Sequence, residues 1–202
     1  MFQRDPRTAE LATAQMEVWP RQRRVHNEWE LLQALEQKNP FTLRVLERIR
    51  AAEDDAFHFR LDRTSGIVIR DGAMSLVRSH LAELRLPRFF PSVPIEAKLA
   101  DPVFHPNVDP QSGFVCLWDR FSAGDTVMEA VRRLQLVISW KLYNLETEQV
   151  IQPAAARWFR NPNRNQCLPL EFMPLVEVES FLLMKTAARR APGVRRRLDA
   201  TF

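Results

Sequence analysis

The spacing of hydrophobic and polar positions changes along the chain, first favouring helices and then strands. The segment EWELLQALEQ, residues 28–37, places apolar side chains at helical spacing, and Asn39 followed by Pro40 predicts its end. The next segment, FTLRVLERIRAAE, predicts a second helix over residues 41–53. Its apolar face would consist of Leu43, Leu46, Ile49 and Ala52.

An alternating pattern follows and predicts an antiparallel meander of four strands. Ser65 and Gly66 mark a turn between the first two strands, and Asp71 with Gly72 is a strong hairpin signal. A helix followed by such a meander is an α+β arrangement. The strands are predicted at FHFRLD (57–62), GIVIRD (66–71), LAELRLP (81–87) and IEAKLA (95–100).

Six prolines between residues 87 and 110 exclude a regular helix there and predict a rigid, extended path. After it, Thr126 and Glu129 form a candidate capping box for a long helix in VMEAVRRLQLVISW. A short helix is predicted at 153–160 and a last helix at 174–191. We therefore expect an extension with a helix at 1–39, a central domain at 40–161 and a divergent helical extension with a basic tail at 162–202.

The composition adds three limits to this picture. The chain has 202 residues, enough for a core of its own, and no run approaches the roughly 18 apolar residues of a membrane span. Its first residues lack a signal-like apolar segment, so we expect a cytoplasmic protein. The net charge of +4 is carried mainly by arginine, which fits an acidic protein partner or nucleic acid, and nucleic acid is the less expected.

The candidate chemistry lies in FHPNVDPQSGFVCLW, residues 104–118. Cys116 is one of two cysteines, and in a reducing compartment its thiol is available for reaction. An amide such as that of Asn107 can donate to an oxyanion, and Glu146 or Glu148 can orient or deprotonate an amine. Three structural alternatives remain: a buried structural cysteine, an asparagine that closes a turn, and a solvated acidic loop.

The order of these motifs resembles the ubiquitin-conjugating enzymes. That family has a helix, a four-stranded meander, a proline-rich segment, the tripeptide His-Pro-Asn, and then Gly-x-Ile/Val-Cys-Leu before a long helix. Residues 40–160 contain LPRFFPSVP, HPNV and GFVCL in that order. The resemblance implies this fold, with the proline-rich segment at the active site.

By this resemblance, Cys116 would accept a ubiquitin-like protein as a thioester from an activating enzyme and pass it to an amine of a protein target. Asn107 would stabilise the oxyanion or order the loop, and His105 would act mainly within its own turn. Glu148 falls where the family often has an acidic residue near the acceptor lysine. Arg44 and Arg48 would lie on the helix that contacts the activating enzyme.

The chain also departs from the family pattern. Nine positions separate Asn107 from Cys116 where eight are common, and Trp118 stands where an aspartate is usual. The family's Trp-Ser-Pro before the long helix is replaced by FSAGDT. With the arginine-rich composition, this divergence points to a bacterial conjugation system of the kind linked to antiphage defence.

Two other functions remain open on the sequence. A binding adaptor of the same fold would hold a modifier without conjugating it, although such relatives normally lack the cysteine. A cysteine hydrolase would need a histidine base beside the thiol. We expect no metal, because no histidines share a zinc-like spacing with cysteines or acids, and no nucleotide cofactor, because the chain has no glycine-rich phosphate loop.

Overall fold

The structure is a computed structural model that describes residues 6–51 and 53–178, with side chains from residue 21. It confirms the α+β class, with an N-terminal helix and an antiparallel sheet. The five strands lie in sequential order. The elements are α1 (Pro6–Lys38), β1 (Leu43–Arg50), β2 (Asp55–Arg70), β3 (Ala73–Leu86), β4 (Glu96–Leu99), β5 (Phe114–Val115), α2 (Val127–Ile138) and α3 (Pro153–Phe159).

The first predicted helix is confirmed and ends at Lys38. Asn39 closes it, because its Nδ2 donates to Leu35 O at 2.8 Å and to Val176 O at 2.9 Å. The buried side of α1 packs on the sheet in one hydrophobic cluster with α2. The boundaries at 39 and 161 stay predictions, but the helix before residue 39 shares the core of the residues after it. Its side chains in that core include Val25, Leu31, Leu32 and Leu35.

The second predicted helix is wrong, because residues 43–50 form β1 and pair antiparallel with β2. Leu43 is buried, but Leu46 and Ile49 are 48% and 44% exposed, so their threefold spacing does not mark a core face. Val45 and Ile49 are β-branched and favour a strand. Ala52, assigned to the same helix face, lies outside the described residues.

The turn predicted at Ser65 and Gly66 is also wrong. A single strand, β2, runs through it, with an irregular register between Asp62 and Gly66. The hairpin at Asp71 and Gly72 is confirmed, and both residues have positive φ, as a tight turn between twisted strands requires.

Two of the three helices predicted after Cys116 are confirmed, at α2 and α3. Thr126 Oγ1 accepts from Glu129 N at 3.3 Å at the start of α2, and the buried carboxylate of Glu28 accepts from Val127 N at 2.8 Å. This second contact ties α2 to α1, and burial raises the pKa of Glu28. Of the helix predicted at 174–191, residues 174–178 are not helical and the rest lie outside the described part of the chain.

Gly113 is required where the chain enters β5, which leads to Cys116. Its φ is +73°, and a Cβ there would overlap the carbonyl oxygen of Leu99. Gly72 has a similar φ of +77° but open space around it. A substitution at Gly72 therefore tests backbone strain alone, whereas one at Gly113 tests backbone strain and steric overlap together.

We expect Gly72→Ala to cost roughly 1 kcal/mol of unfolding free energy from the left-handed backbone alone. Gly113→Ala should cost roughly 3 kcal/mol or more, because the backbone of β4 must also move. Urea unfolding of both variants measures the difference. Equal losses would show that the approach of Gly113 to Leu99 is not a constraint on the fold.

Candidate active site

Asn107 and Cys116 lie opposite each other in a short hairpin-like loop. Cys116 N donates to Asn107 O at 2.9 Å, and Asp109 N donates to Phe114 O at 2.8 Å. Val108 and Val115 form the bridge between these pairs. The nine-position spacing is therefore accommodated by regular pairing, with the turn at residues 110–113.

The side chain of Asn107 is buried and its amide is fully engaged. Nδ2 donates to Asn144 O at 2.9 Å and to Gln149 O at 3.0 Å, while Oδ1 accepts from Asn144 N at 2.7 Å. All three bonds go to the loop between α2 and α3. In this arrangement, Asn107 orders that loop, and neither amide hydrogen is free for an oxyanion.

The two residues before Asn107 hold the same loop from its far end. Pro106 O accepts from Ile151 N at 2.8 Å and from Gln152 N at 3.0 Å. His105 N donates to Gln152 Oε1 at 2.8 Å. The whole tripeptide, residues 105–107, thus holds residues 144–152 in place. We call the tripeptide the clasp and residues 144–152 the α2–α3 loop.

His105 is fully buried and acts within its own turn. Its Nδ1 accepts from Asn107 N at 3.2 Å, and its ring packs edge-on against Trp140 with centroids 4.7 Å apart. Burial lowers the pKa of His105 to about 3, and the backbone of Leu142 offsets this only in part. Because burial makes protonation of the ring unfavourable and Nδ1 already accepts from Asn107 N, His105 is a weak base, which weighs against a hydrolase.

The thiol of Cys116 is half-buried beside the α2–α3 loop. Its Sγ lies 3.6 Å from Gln149 Oε1 and donates to it. Burial raises the pKa of the thiol, the backbone of Trp118 partly opposes this, and the negative charge of Asp119 adds to it. The free protein therefore keeps Cys116 protonated at neutral pH.

Asp119 stands in the same small cleft as the thiol and is fixed there. Its Oδ1 accepts from Asn144 Nδ2 at 3.0 Å, so Asp119 is hydrogen-bonded to the loop that Asn107 orders. Tyr143 lines the cleft as well. A carboxylate beside a reactive sulfur is suited to attract an incoming ammonium group.

The predicted acids, Glu146 and Glu148, lie on the exposed side of the α2–α3 loop. The side chain of Glu148 makes no hydrogen bond or ion pair with the described residues, while its neighbour Gln149 reaches the thiol. The structure thus brings Asn107, His105 and Cys116 together and leaves Glu148 exposed, outside the lining of the cleft.

Arg44 and Arg48 do not lie on a helix, which corrects the basis on which they were assigned to a partner. Both are in β1. The guanidinium of Arg48 is largely buried and pairs with Asp55 Oδ1 at 2.8 Å, with Arg21 on the other oxygen of the same carboxylate at 3.1 Å. Arg48 therefore stabilises the fold through this ion pair, and Arg44 is an exposed strand residue.

Sequence reasoning did not identify Gln149, Asn144 or Asp119. The only sequence signals were their positions, Asp119 three residues after Cys116 and Gln149 directly after Glu148. Within the described part of the chain, no cluster of histidine, cysteine and acidic side chains could hold a metal ion. No helix in that part has the length and apolar character needed to cross a bilayer.

Comparison with solved structures finds ubiquitin-conjugating enzymes at low identity. A putative enzyme from Trypanosoma cruzi is 13% identical over 70% of this chain and 90% of its own, with a TM-score of 0.46. One from Plasmodium yoelii is 13% identical over 69% and 85%, with 0.48. S. cerevisiae Ubc12 is 12% identical over 83% and 98%, with 0.45. No protein family and no curated protein matches the sequence.

We expect Asn107→Ala to lower the unfolding free energy by roughly 2–3 kcal/mol, because it leaves the polar backbone groups of Asn144 and Gln149 without partners. Release of Gln149 should also expose the thiol, so alkylation of Cys116 by iodoacetamide should become faster. Mass spectrometry of the labelled peptide measures that rate. Asn163→Ala, at an exposed position, is the matched control, and an unchanged rate in Asn107→Ala would show that Asn107 does not order the loop.

Proposed function

We propose that the chain is a ubiquitin-conjugating-type acyltransferase. Cys116 would accept the C-terminus of a ubiquitin-like protein as a thioester from an activating enzyme and transfer it to an amine of a protein target. The observation that carries this proposal is the clasp of His105, Pro106 and Asn107 on the α2–α3 loop, which sets polar side chains around a half-exposed thiol. Preorganised groups of this kind are what acyl transfer requires.

In the first step, the sulfur of Cys116 attacks the thioester carbonyl that the activating enzyme carries. A new carbon–sulfur bond forms at Cys116, the bond to the activating enzyme's sulfur breaks, and that sulfur takes up the proton that Cys116 loses. The raised pKa of Cys116 makes the free thiol a slow nucleophile, so the docked partner must assist its deprotonation.

In the second step, an amine attacks the thioester carbon, an amide bond forms, and the sulfur of Cys116 leaves and is reprotonated. A thiol with a raised pKa is a poorer leaving group, which holds the thioester until an amine is in place. Asp119, which lines the cleft, would attract the amine and accept its proton. Glu148, exposed on the α2–α3 loop, is the second candidate for this role.

Asn107 would order the α2–α3 loop in this mechanism. The alternative role, donation to the oxyanion, would require the loss of one of its two bonds to the carbonyls of Asn144 and Gln149. The loop would then have to move during the reaction.

One observation favours the adaptor as a second candidate. Both amide hydrogens of Asn107 are engaged and burial raises the pKa of the Cys116 thiol, so the site at rest has neither a free oxyanion donor nor an activated nucleophile, as a non-catalytic adaptor would. The setting in a bacterial antiphage system rests on the arginine-rich composition and the sequence divergence. The cytoplasmic location rests on the sequence alone.

Intact-mass spectrometry tests the thioester directly. The chain is incubated with the activating enzyme and ubiquitin-like protein of the same genome and ATP, with and without a thiol reductant. We expect a modifier-sized adduct that reductant removes and that becomes resistant in Cys116→Ser. Cys167→Ser, which alters the exposed second cysteine, is the matched control and should keep the reductant-sensitive adduct. A folded chain without any adduct would favour the adaptor.

Discharge of the thioester-loaded chain to free lysine distinguishes the roles of Asp119 and Glu148. We expect Asp119→Asn to slow discharge by roughly tenfold or more, since Asp119 lines the cleft, and Glu148→Gln to slow it less. Asp119→Asn should also lower the pKa of Cys116, because the Asp119 charge raises it. The pH dependence of iodoacetamide labelling measures that shift. If Glu148→Gln slowed discharge more than Asp119→Asn, Glu148 and not Asp119 would be the acid that attracts the amine.

A further inference from the structure

Another concave surface lies away from the thiol, where segment 169–174 pairs with the irregular part of β2. We call this segment the strap and the surface beside it the strap groove. The groove has a volume of about 810 Å³ and shares no lining residue with the cleft at Cys116. Its charged and polar lining consists of Arg63, Ser65, Arg78, Lys141 and Glu171.

The strap is held on the sheet by backbone hydrogen bonds. Ser65 N donates to Glu171 O at 3.0 Å, and Met173 N donates to Arg63 O at 2.9 Å. Leu170 N donates to Ser139 O at 2.9 Å on the helical side. The irregular part of β2 provides the first two of these contacts, so the groove has a fixed backbone wall.

Three cations line the strap groove without an acidic partner among the described residues. Arg63 lies over the ring of Phe41 at 5.3 Å, and Lys141 lies over the ring of Phe172 at 4.6 Å. Arg78 is exposed and makes no hydrogen bond, ion pair or ring contact with the described residues. The one acid in the lining, Glu171, is exposed and leaves an excess of positive charge.

The rest of the lining is apolar. It includes Pro169, Leu170, Met173 and Pro174, and Met173 is 44% exposed. We call this apolar part of the lining the floor of the groove. Together with the three cations it complements a chain that carries both carboxylates and an apolar side chain.

We propose that the strap groove binds an acidic segment of a partner protein through Arg63, Arg78 and Lys141, with an apolar side chain of that segment on the floor. The chain's own residues 179–202 are a poor match, because they hold one lysine and five arginines against Glu179 and Asp199. Nucleic acid is disfavoured because Lys141 already covers the ring of Phe172 on which a base would stack. This proposal is independent of the thioester chemistry.

The test uses the full chain and a short fluorescein-labelled peptide in which glutamate alternates with leucine. Fluorescence anisotropy measures its binding to the parent, to Arg78→Glu and to Lys141→Ala. Arg50→Glu is the matched control, because Arg50 is exposed at the far end of β1 and has no side-chain partner among the described residues. Circular dichroism verifies the fold of each variant.

We expect saturable binding to the parent, a loss of roughly tenfold or more in Arg78→Glu and a smaller loss in Lys141→Ala, with Arg50→Glu unchanged. A peptide with glutamine in place of glutamate should not bind. The proposal is overturned by no saturable binding up to about 1 mM, by equal binding of the glutamine peptide, by an equal loss in Arg50→Glu, or by an oligouridylate that binds more tightly than the acidic peptide.

Discussion

The buried amide of Asn107 is the interaction on which the site depends. Its three hydrogen bonds join the hairpin-like loop before β5 to the α2–α3 loop, which follows some forty residues later. A buried amide must have partners for all its polar atoms, and the loop carbonyls it satisfies would otherwise be unpaired as well. Each loop thus supplies hydrogen-bond partners that the other needs. A move of either loop would cost the free energy of leaving buried polar atoms unpaired.

The hydrogen bonds of Asn107 also fix the positions of side chains nearer the surface. Asn144, whose backbone is held by Asn107, uses its own side chain to hold Asp119, and Gln149, held in the same way, reaches the thiol of Cys116. The groups that would meet a substrate are thus positioned by atoms that never touch it.

The sequence located Asn107 and Cys116 because both lie in one short stretch whose order is distinctive. It misassigned residues 41–53, because Leu43, Leu46 and Ile49 recur every three residues as on a helix although two of them are exposed strand residues. It proposed Glu148, which stays a prediction, and did not consider its neighbour Gln149, whose side chain accepts from the thiol of Cys116. Spacing along the chain selects a loop, but which of two neighbours turns inward depends on bonds from a distant segment, here those of Asn107.

The segment that follows α2 connects the cleft at Cys116 with the strap groove. Ser139 O holds the strap, Lys141 lines the strap groove, and Asn144 is bound by Asn107 in the cleft. Between them, Trp140 is buried with a φ of +59°, packed against the ring of His105. A bulky residue keeps such a backbone only where its surroundings fix it. The strap and the clasp therefore share one rigid support, and a partner bound in the groove would lie within a few residues of the loop that faces the thiol.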